Sequence, residues 1–416
     1  MFAAESIFSL PFLLARIFRP TFLAVFQINN FELGALFSTY GIIALLSYVY
    51  GGAIADYYPP RKLMSAALVM TAAGGLVMGQ YPGYITLQIL YGFWGFSTIF
   101  LFWAAMIKAT RNWGGEQHQG QAFGFLEGGR GMIAALIGAV GVFVFAQLLP
   151  EEVETVVLEE RQNAFRSVIY FTSIMIAIIA VGIYLFLKTE EKETIIPQKS
   201  NQTSWSNIKK VVQYKSVWLL ILIVLCAYVG YKVTDIVSLY AAEVMLFNEV
   251  NAAKVGSFQM YLRPIVCICI GFFADKSSSA VGLLFGFIVL LLGSVLFASG
   301  VVIAPLNGLF ILSIIITGIG TYSLRALYFA AIQEGNIPYA VTGTAVGIIS
   351  VVGYTPDIFM GPFMGYLLDN NPGIVGHQYV FALLATFALI GLIAAIVFFK
   401  TVSRNFKSTD GIYLSS

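Results

Sequence analysis

The chain has 416 residues, of which 59% are hydrophobic and only 11% charged, and its formal net charge is +2. A soluble domain carries about a quarter charged residues, so the composition excludes one and points to a polytopic membrane protein in which every span satisfies its own backbone hydrogen bonds as a helix. The net charge itself says little, and no nucleic-acid partner is expected.

Apolar windows of about 20 residues are long enough to cross a bilayer. In chain order they fall at 3–25, 33–55, 63–80, 84–108, 121–149, 165–187, 216–242, 255–275, 280–303, 306–333, 341–368 and 377–400. The first carries Glu5, Arg16 and Arg19 and runs straight into the protein, so it reads as a membrane span rather than a cleavable leader. After the second stands GGAIADYYPPRK, holding Gly52, Asp56, Arg61 and Lys62. The fifth opens on FGFLEGGRG, which places Glu127 and Arg130 three residues apart and hence on one helical face. Between the sixth and seventh lies a charged polar stretch, read as a linker over 188–215 with an amphipathic helix near Ile208 to Val212. The seventh carries Lys232 and Asp235, again spaced i, i+3. The eighth holds Arg263 and ends on GFFADK, with Gly271 and Asp275; the tenth holds Arg325; the eleventh holds Asp357.

Lysine and arginine bias sets orientation. Arg61, Lys62, Lys108, Arg111, the linker lysines, Lys276 and Lys400 fall on one side, against Arg161, Arg166 and Lys254 on the other. Both termini are therefore expected in the cytoplasm. Gly52 and Asp56 recur 219 residues later as Gly271 and Asp275, and Gly120 to Gly124 (GQAFG) recurs 223 residues later as GTAVG. The expected architecture is all-α and integral to the membrane. Twelve transmembrane helices form two pseudo-symmetric six-helix bundles, 1–187 and 216–416, that enclose a midplane site.

Twelve spans, a central cytoplasmic loop and G-x-x-x-D after spans two and eight resemble the major facilitator superfamily over the whole chain. Pro59 stands where the family motif has glycine. The resemblance implies that Gly52, Asp56, Arg61, Lys62, Gly271 and Asp275 serve gating, Asp56 as part of a latch between the halves. It also implies that spans 1, 4, 7 and 10 line the central cavity. Arg16, Arg130 and Lys232 are further similar to the cation set of the organic-phosphate antiporters in that superfamily, with lysine where the span-seven residue is arginine.

Ionisable residues at bilayer depth are costly and mark the pathway. Setting aside the two residues at each end, the spans hold six bases (Arg16, Arg19, Arg130, Lys232, Arg263, Arg325) and four acids (Glu5, Glu127, Asp235, Asp357). Arginine matches carboxylate and phosphate geometry, and a cationic low-dielectric cavity draws anions. Substrate contacts are expected from Arg16, Arg19, Glu127, Arg130, Lys232, Asp235 and Arg325. The competing reading, in which each acid merely neutralises its i+3 base, stays open for Glu127–Arg130 and Lys232–Asp235. Arg16 and Arg19 have no acid near in sequence. Candidates for proton coupling are Asp357, Glu5 and Glu127. Asp357 has no base near in sequence, follows Pro356, and is the acid expected to take a proton most readily. Tyr40, Trp94, Trp103, Tyr228, Tyr231 and Tyr354 are candidate cavity aromatics.

His118 and His377 read as polar-loop residues and Cys226, Cys267 and Cys269 as small core residues, so neither a metal site nor a cofactor is expected. The function expected is secondary transport of a small organic anion by alternating access, through anion exchange or proton coupling. The chain is expected to act as a monomer in the cytoplasmic membrane. A non-transporting receptor on the same scaffold is the alternative; a membrane enzyme would need a catalytic cluster that is not in evidence.

Overall fold

The computed structural model describes residues 1–114, 119–149, 157–187, 205–328, 330–335, 337 and 342–413. The described residues form helices and no strand. Among the described residues eleven helices are long and apolar enough to cross a membrane, and a twelfth span is complete if two helices separated by a sharp bend are counted together. That bent span is the first, Ser9–Ile17 and Arg19–Phe26 (span 1). Span 2 is Asn30–Tyr57 and span 3 Pro60–Met78. Then come Tyr84–Thr110 (span 4), Leu158–Phe186 (span 6) and Lys215–Glu243 (span 7), with Gln119–Leu148 as span 5. The second half continues with Glu249–Lys276 (span 8), Ser279–Ala298 (span 9), Asn307–Leu327 (span 10), Thr344–Asn370 (span 11) and Ile374–Ser403 (span 12). The helix read near Ile208 is present as Trp205–Val212.

Among the described residues four spans depart from a continuous α-helix, span 4 by a π stretch over Ser97–Trp103, and local chemistry explains two of the other three. In span 1, Pro20 has no N–H to give the carbonyl four residues back, which belongs to Arg16. The helix turns by 108° at that point, and the released Arg16 carbonyl accepts instead from the Ser238 hydroxyl at 2.7 Å. Pro11 has a milder effect of the same kind: residues Ser9–Leu13 relax into a π-turn. Span 7 passes through a 3₁₀ turn at Thr234–Ile236 between Lys215–Val233 and Val237–Glu243. Span 11 breaks between Gly353 and Pro356, because Pro356 has no N–H for the Val352 carbonyl four residues back, which accepts from the Thr355 hydroxyl at 2.7 Å instead. A single continuous first span, as composition alone suggests, is thus replaced by a broken one.

Two apolar clusters carry the packing. One gathers buried side chains from Ala3 to Ala180 and takes in Ala253 and Met260 of span 8. The other runs from Val211 to Val402. They meet along two antiparallel seams, span 2 against span 11 and span 5 against span 8. The first seam is a backbone-to-backbone approach. A Cβ on Gly361 would stand 2.9 Å from the Gly34 Cα, and one on Gly34 would strike the Gly361 carbonyl. Gly365 faces Asn30 and Phe31 in the same way. Glycine is needed at these positions because nothing larger lets the helices touch.

The end of the bundle where span 2 begins is tied by polar contacts as well. Span 2 has its own capping box: Asn29 Oδ1 accepts from Glu32 N–H at 2.8 Å, and Glu32 returns the bond at 2.9 Å. Two further amides of that first turn are taken by a residue of the opposite cluster. Asp369 of span 11 accepts from Asn30 N–H at 3.1 Å and Phe31 N–H at 2.7 Å, and from the Asn30 side chain at 3.0 Å. Alongside, Glu249 of span 8 accepts from Thr21 at 2.6 Å and pairs with Arg161 at 2.6 Å.

Candidate functional site

The three helix breaks put their charges at one place. Arg16 sits in the last turn before the break in span 1 and Lys232 in the last turn before the break in span 7. Asp235 lies inside the span-7 break, and Asp357 in the first turn after the span-11 break. Bases at helix C-termini and acids at helix N-termini both suit the helix dipole. All these side chains lie at bilayer depth, where a charge needs a partner.

Their partners come from other spans. Arg16 Nε donates to Asp235 Oδ1 at 2.5 Å and Nη1 donates to the Tyr231 hydroxyl at 3.0 Å. Lys232 Nζ lies 3.3 Å from Asp235 Oδ2 and 3.2 Å from Asp357 Oδ1. The contact with Asp235 Oδ2 lacks hydrogen-bond geometry, so it is an electrostatic approach rather than a directed bond. Tyr228 donates to Asp357 Oδ2 at 2.9 Å. Arg325 of span 10 lays its guanidinium over the Tyr231 ring at 4.0 Å, and Arg16 lies over the same ring at 4.6 Å. Tyr228 packs on Tyr354 with ring centroids 4.7 Å apart. The ammonium of Lys232 is 5.1 Å from each of the rings of Phe12 and Phe37. The result is a cluster from spans 1, 7, 10 and 11, walled by tyrosines.

A second group lies where the short helix Phe2–Ser6, ahead of span 1, meets spans 5 and 8. Arg130 Nε donates to Glu5 Oε2 at 3.0 Å, while Arg263 Nη1 is 3.6 Å from Glu5 Oε1. Arg130 also faces the rings of Phe8 and Trp103, each at 5.6 Å. Arg19 is buried apart from both groups and donates to Asn30 Oδ1 at 3.0 Å, which links it to the Asp369 contact.

Several sequence expectations change. Arg16 does have an acid, contributed by span 7 rather than by its neighbours in sequence. Glu5, a candidate for proton coupling, meets Arg130 and Arg263. Asp357 is not without a base, because Lys232 and Tyr228 reach it from span 7. The Lys232–Asp235 pair forms as the spacing suggested, but each member has a further partner. The Glu127 side chain lies outside the described residues, as do those of Asp56 and Asp275 and all of His118. Gly52 is described only as helix backbone; a Cβ added at Gly271 would meet nothing within 4 Å. Arg61 stacks over Tyr184 at 5.6 Å, and Lys62 is exposed.

Other assignments fail for packing reasons. His377 is no loop residue: it is fully buried near the start of span 12, its Nε2 3.0 Å from Glu243 Oε2. Cys269 is exposed rather than core, while Cys226 is buried. Trp94 is core, its indole donating to the Thr71 carbonyl at 3.3 Å. Among the described residues no group of acids, histidines and cysteines could hold a metal. Sequence reading missed Ser257 and Gln259 of span 8 and Ser323 of span 10. Each buries a side-chain oxygen with no hydrogen-bond partner among the described residues. No sequence signal separates such small polar residues from ordinary helix residues.

The model of the Major Facilitator Superfamily matches residues 1–359. Two Escherichia coli (strain K12) proteins are similar over nearly the full length. Inner membrane protein YihN is 26% identical, covering 92% of this chain and 90% of its own; Inner membrane protein YqcE is 25% identical, covering 92% and 88%. Among solved structures, a bacterial homologue of the human lysosomal transporter Spinster, inward-facing and occupied, superposes with a TM-score of 0.69. It is 15% identical and covers 97% of this chain and 96% of its own. The nucleoside transporter NupG gives a TM-score of 0.66 at 16% identity, covering 96% and 100%. A POT family transporter in complex with 5-aminolevulinic acid gives 0.69 at 14%, covering 96% and 95%.

Proposed function

The chain belongs to the Major Facilitator Superfamily and is a secondary transporter of that type, and we propose that its cargo is a small organic anion bearing a carboxylate or phosphate. One observation carries the reading. Arg16, Lys232 and Arg325, from spans 1, 7 and 10, converge where spans 1, 7 and 11 are broken. In this cluster the bases Arg16, Lys232 and Arg325 outnumber the acids Asp235 and Asp357. A site of that kind favours a negatively charged group and repels cations, and the tyrosine wall supplies apolar faces and hydroxyls for the remainder of the solute.

The two halves, 1–187 and 216–416, joined through 188–215, are taken to rock about this site. With the lysine-rich loops in the cytoplasm of the cell membrane, the seam of Gly34, Gly361 and Asp369 lies on the outer side and closes that side in this conformation. The residues of the Asp56 and Asp275 loops, with Arg61 and Lys62, would then latch the cytoplasmic side in the opposite state. Arg130 and Glu5, with Arg263, sit between spans 5 and 8 on the cytoplasmic stretch of the route.

The test is thermal stabilisation of purified protein across a panel of phosphate esters, carboxylates, amino acids and neutral sugars. A phosphate or carboxylate should stabilise the protein and the neutral sugars should not. Coupling is read in proteoliposomes. If protons enter through Asp357, Asp357→Asn exchanges substrate but cannot concentrate it. If uptake by both proteins ignores a proton gradient, anion exchange is the coupling.

A further inference from the structure

Arg16 and Asp235 are 219 residues apart, the same offset that relates Gly52 to Gly271 and Asp56 to Asp275. They are therefore counterparts in the internal repeat, one at the break of span 1 and the other at the break of span 7. A faithful repeat would place like residues at both positions. Here one is a base and the other an acid, and they bond directly across the interface of the two halves, both more than nine-tenths buried.

Asp235 also occupies a particular position. Its Oδ1 takes Arg16 and its Oδ2 approaches Lys232. A two-oxygen acid held by one guanidinium and one ammonium is the contact set that a substrate carboxylate or phosphate would need. We propose that the Asp235 carboxylate is a tethered stand-in for the transported anion: it fills the Arg16–Lys232 cradle when no substrate is bound, and substrate enters by displacing it.

This rests on the anion reading above and adds a regulation of the same site. Two consequences follow from electrostatics. Affinity for the external anion is a competition, because the incoming group must replace a carboxylate held at high local concentration by its tether. The empty carrier is also self-neutralised, so its cations are compensated while the halves move. Such a carrier returns without cargo and performs net transport. Without Asp235, Arg16 is compensated only when an anion is present, and the carrier becomes an obligate exchanger. The loose Lys232–Asp235 contact and the second acid beside Lys232, Asp357, fit a carboxylate built to leave.

The experiment uses full-length protein with inorganic phosphate and succinate as probes, in thermal-stability titrations and in proteoliposomes. Asp235→Asn should melt lower than the unmutated protein without anion and be rescued by the better probe. The half-maximal concentration should fall about tenfold or more, and net efflux should stop while exchange continues. Asp235→Glu keeps the charge and should show the net efflux that Asp235→Asn loses; Asp235→Ser, which also removes the carboxylate, serves the test if Asp235→Asn does not fold. A destabilised Asp235→Asn that no anion rescues, an unchanged or weaker affinity, stabilisation of neither protein by either probe, or net efflux that survives Asp235→Asn would each overturn the proposal. Arg16→Gln separates it from the wider reading. If Arg16→Gln loses binding but Asp235→Asn gains none, the anion site stands and the stand-in role falls; if Arg16→Gln binds as before, the anion site itself falls.

Discussion

The seam between spans 2 and 11 and the cluster at the breaks of spans 1, 7 and 11 hold the same two halves together by opposite means. At the seam, glycine backbones touch and Asp369 caps a helix across the interface. These contacts are short-ranged: a separation of an ångström or two forfeits them all. At the cluster, Arg16 pairs with Asp235 across the interface, and Asp235 shares Lys232 with Asp357 on the second half. Packing of the first kind commits the molecule to one conformation. Charge of the second kind can be answered by a ligand. The difference separates where the state is fixed from where the cargo acts.

The largest effect should come from unbalancing the cluster. Breaking a buried pair by removing one partner costs about 3–5 kcal/mol, so Arg16→Gln should sharply lower the melting temperature. Arg16→Gln together with Asp235→Asn removes both charges and should recover most of the loss. A double variant no more stable than either single one would show that the contact is not an ion pair in energetic terms. At the seam, Gly34→Ala puts a methyl group into the Gly361 backbone. Overpacking of that kind costs about 1–3 kcal/mol, which shifts a two-state equilibrium by about fivefold to over a hundredfold. Spin labels at Glu159 and Asn370, one on each half, should show a longer-distance population growing by double electron–electron resonance, while anion affinity measured in the seam-closed state stays the same. Asp369→Asn should do the same more weakly, because the amide still accepts a hydrogen bond but without the added strength of charge, a loss of about 1 kcal/mol. If Gly34→Ala leaves the distances unchanged, the seam does not set the state.

The spans were legible because an apolar window of bilayer length seldom occurs outside a membrane helix. Charge partners were not, because spacing along one helix reports only one face. Arg130 sits three residues from Glu127, yet its described carboxylate is Glu5, 125 residues away in sequence. Asp357 looked isolated only because Lys232 is remote in sequence. His377, between Gly376 and Gln378 and close to Pro372, read as loop until Tyr240 and Glu243 enclosed it. Two signals were in the sequence unread. Pro20 follows Arg16 by four residues, which marks the carbonyl a helix must release. The 219-residue offset of the repeat also relates Arg16 to Asp235.

The central claim is an anion site built on Arg16. Isothermal titration of the unmutated protein and of Arg16→Gln, at one pH and one ionic strength, with a panel of phosphate esters, carboxylates and matched neutral solutes, tests it most directly. The account predicts saturable binding of at least one anion by the unmutated protein, no binding of its neutral counterpart, and a loss of about a hundredfold or more in Arg16→Gln, the scale expected when a buried charge-assisted contact is removed. Equal binding of that anion by both proteins, or preference for a neutral or cationic solute, would contradict it.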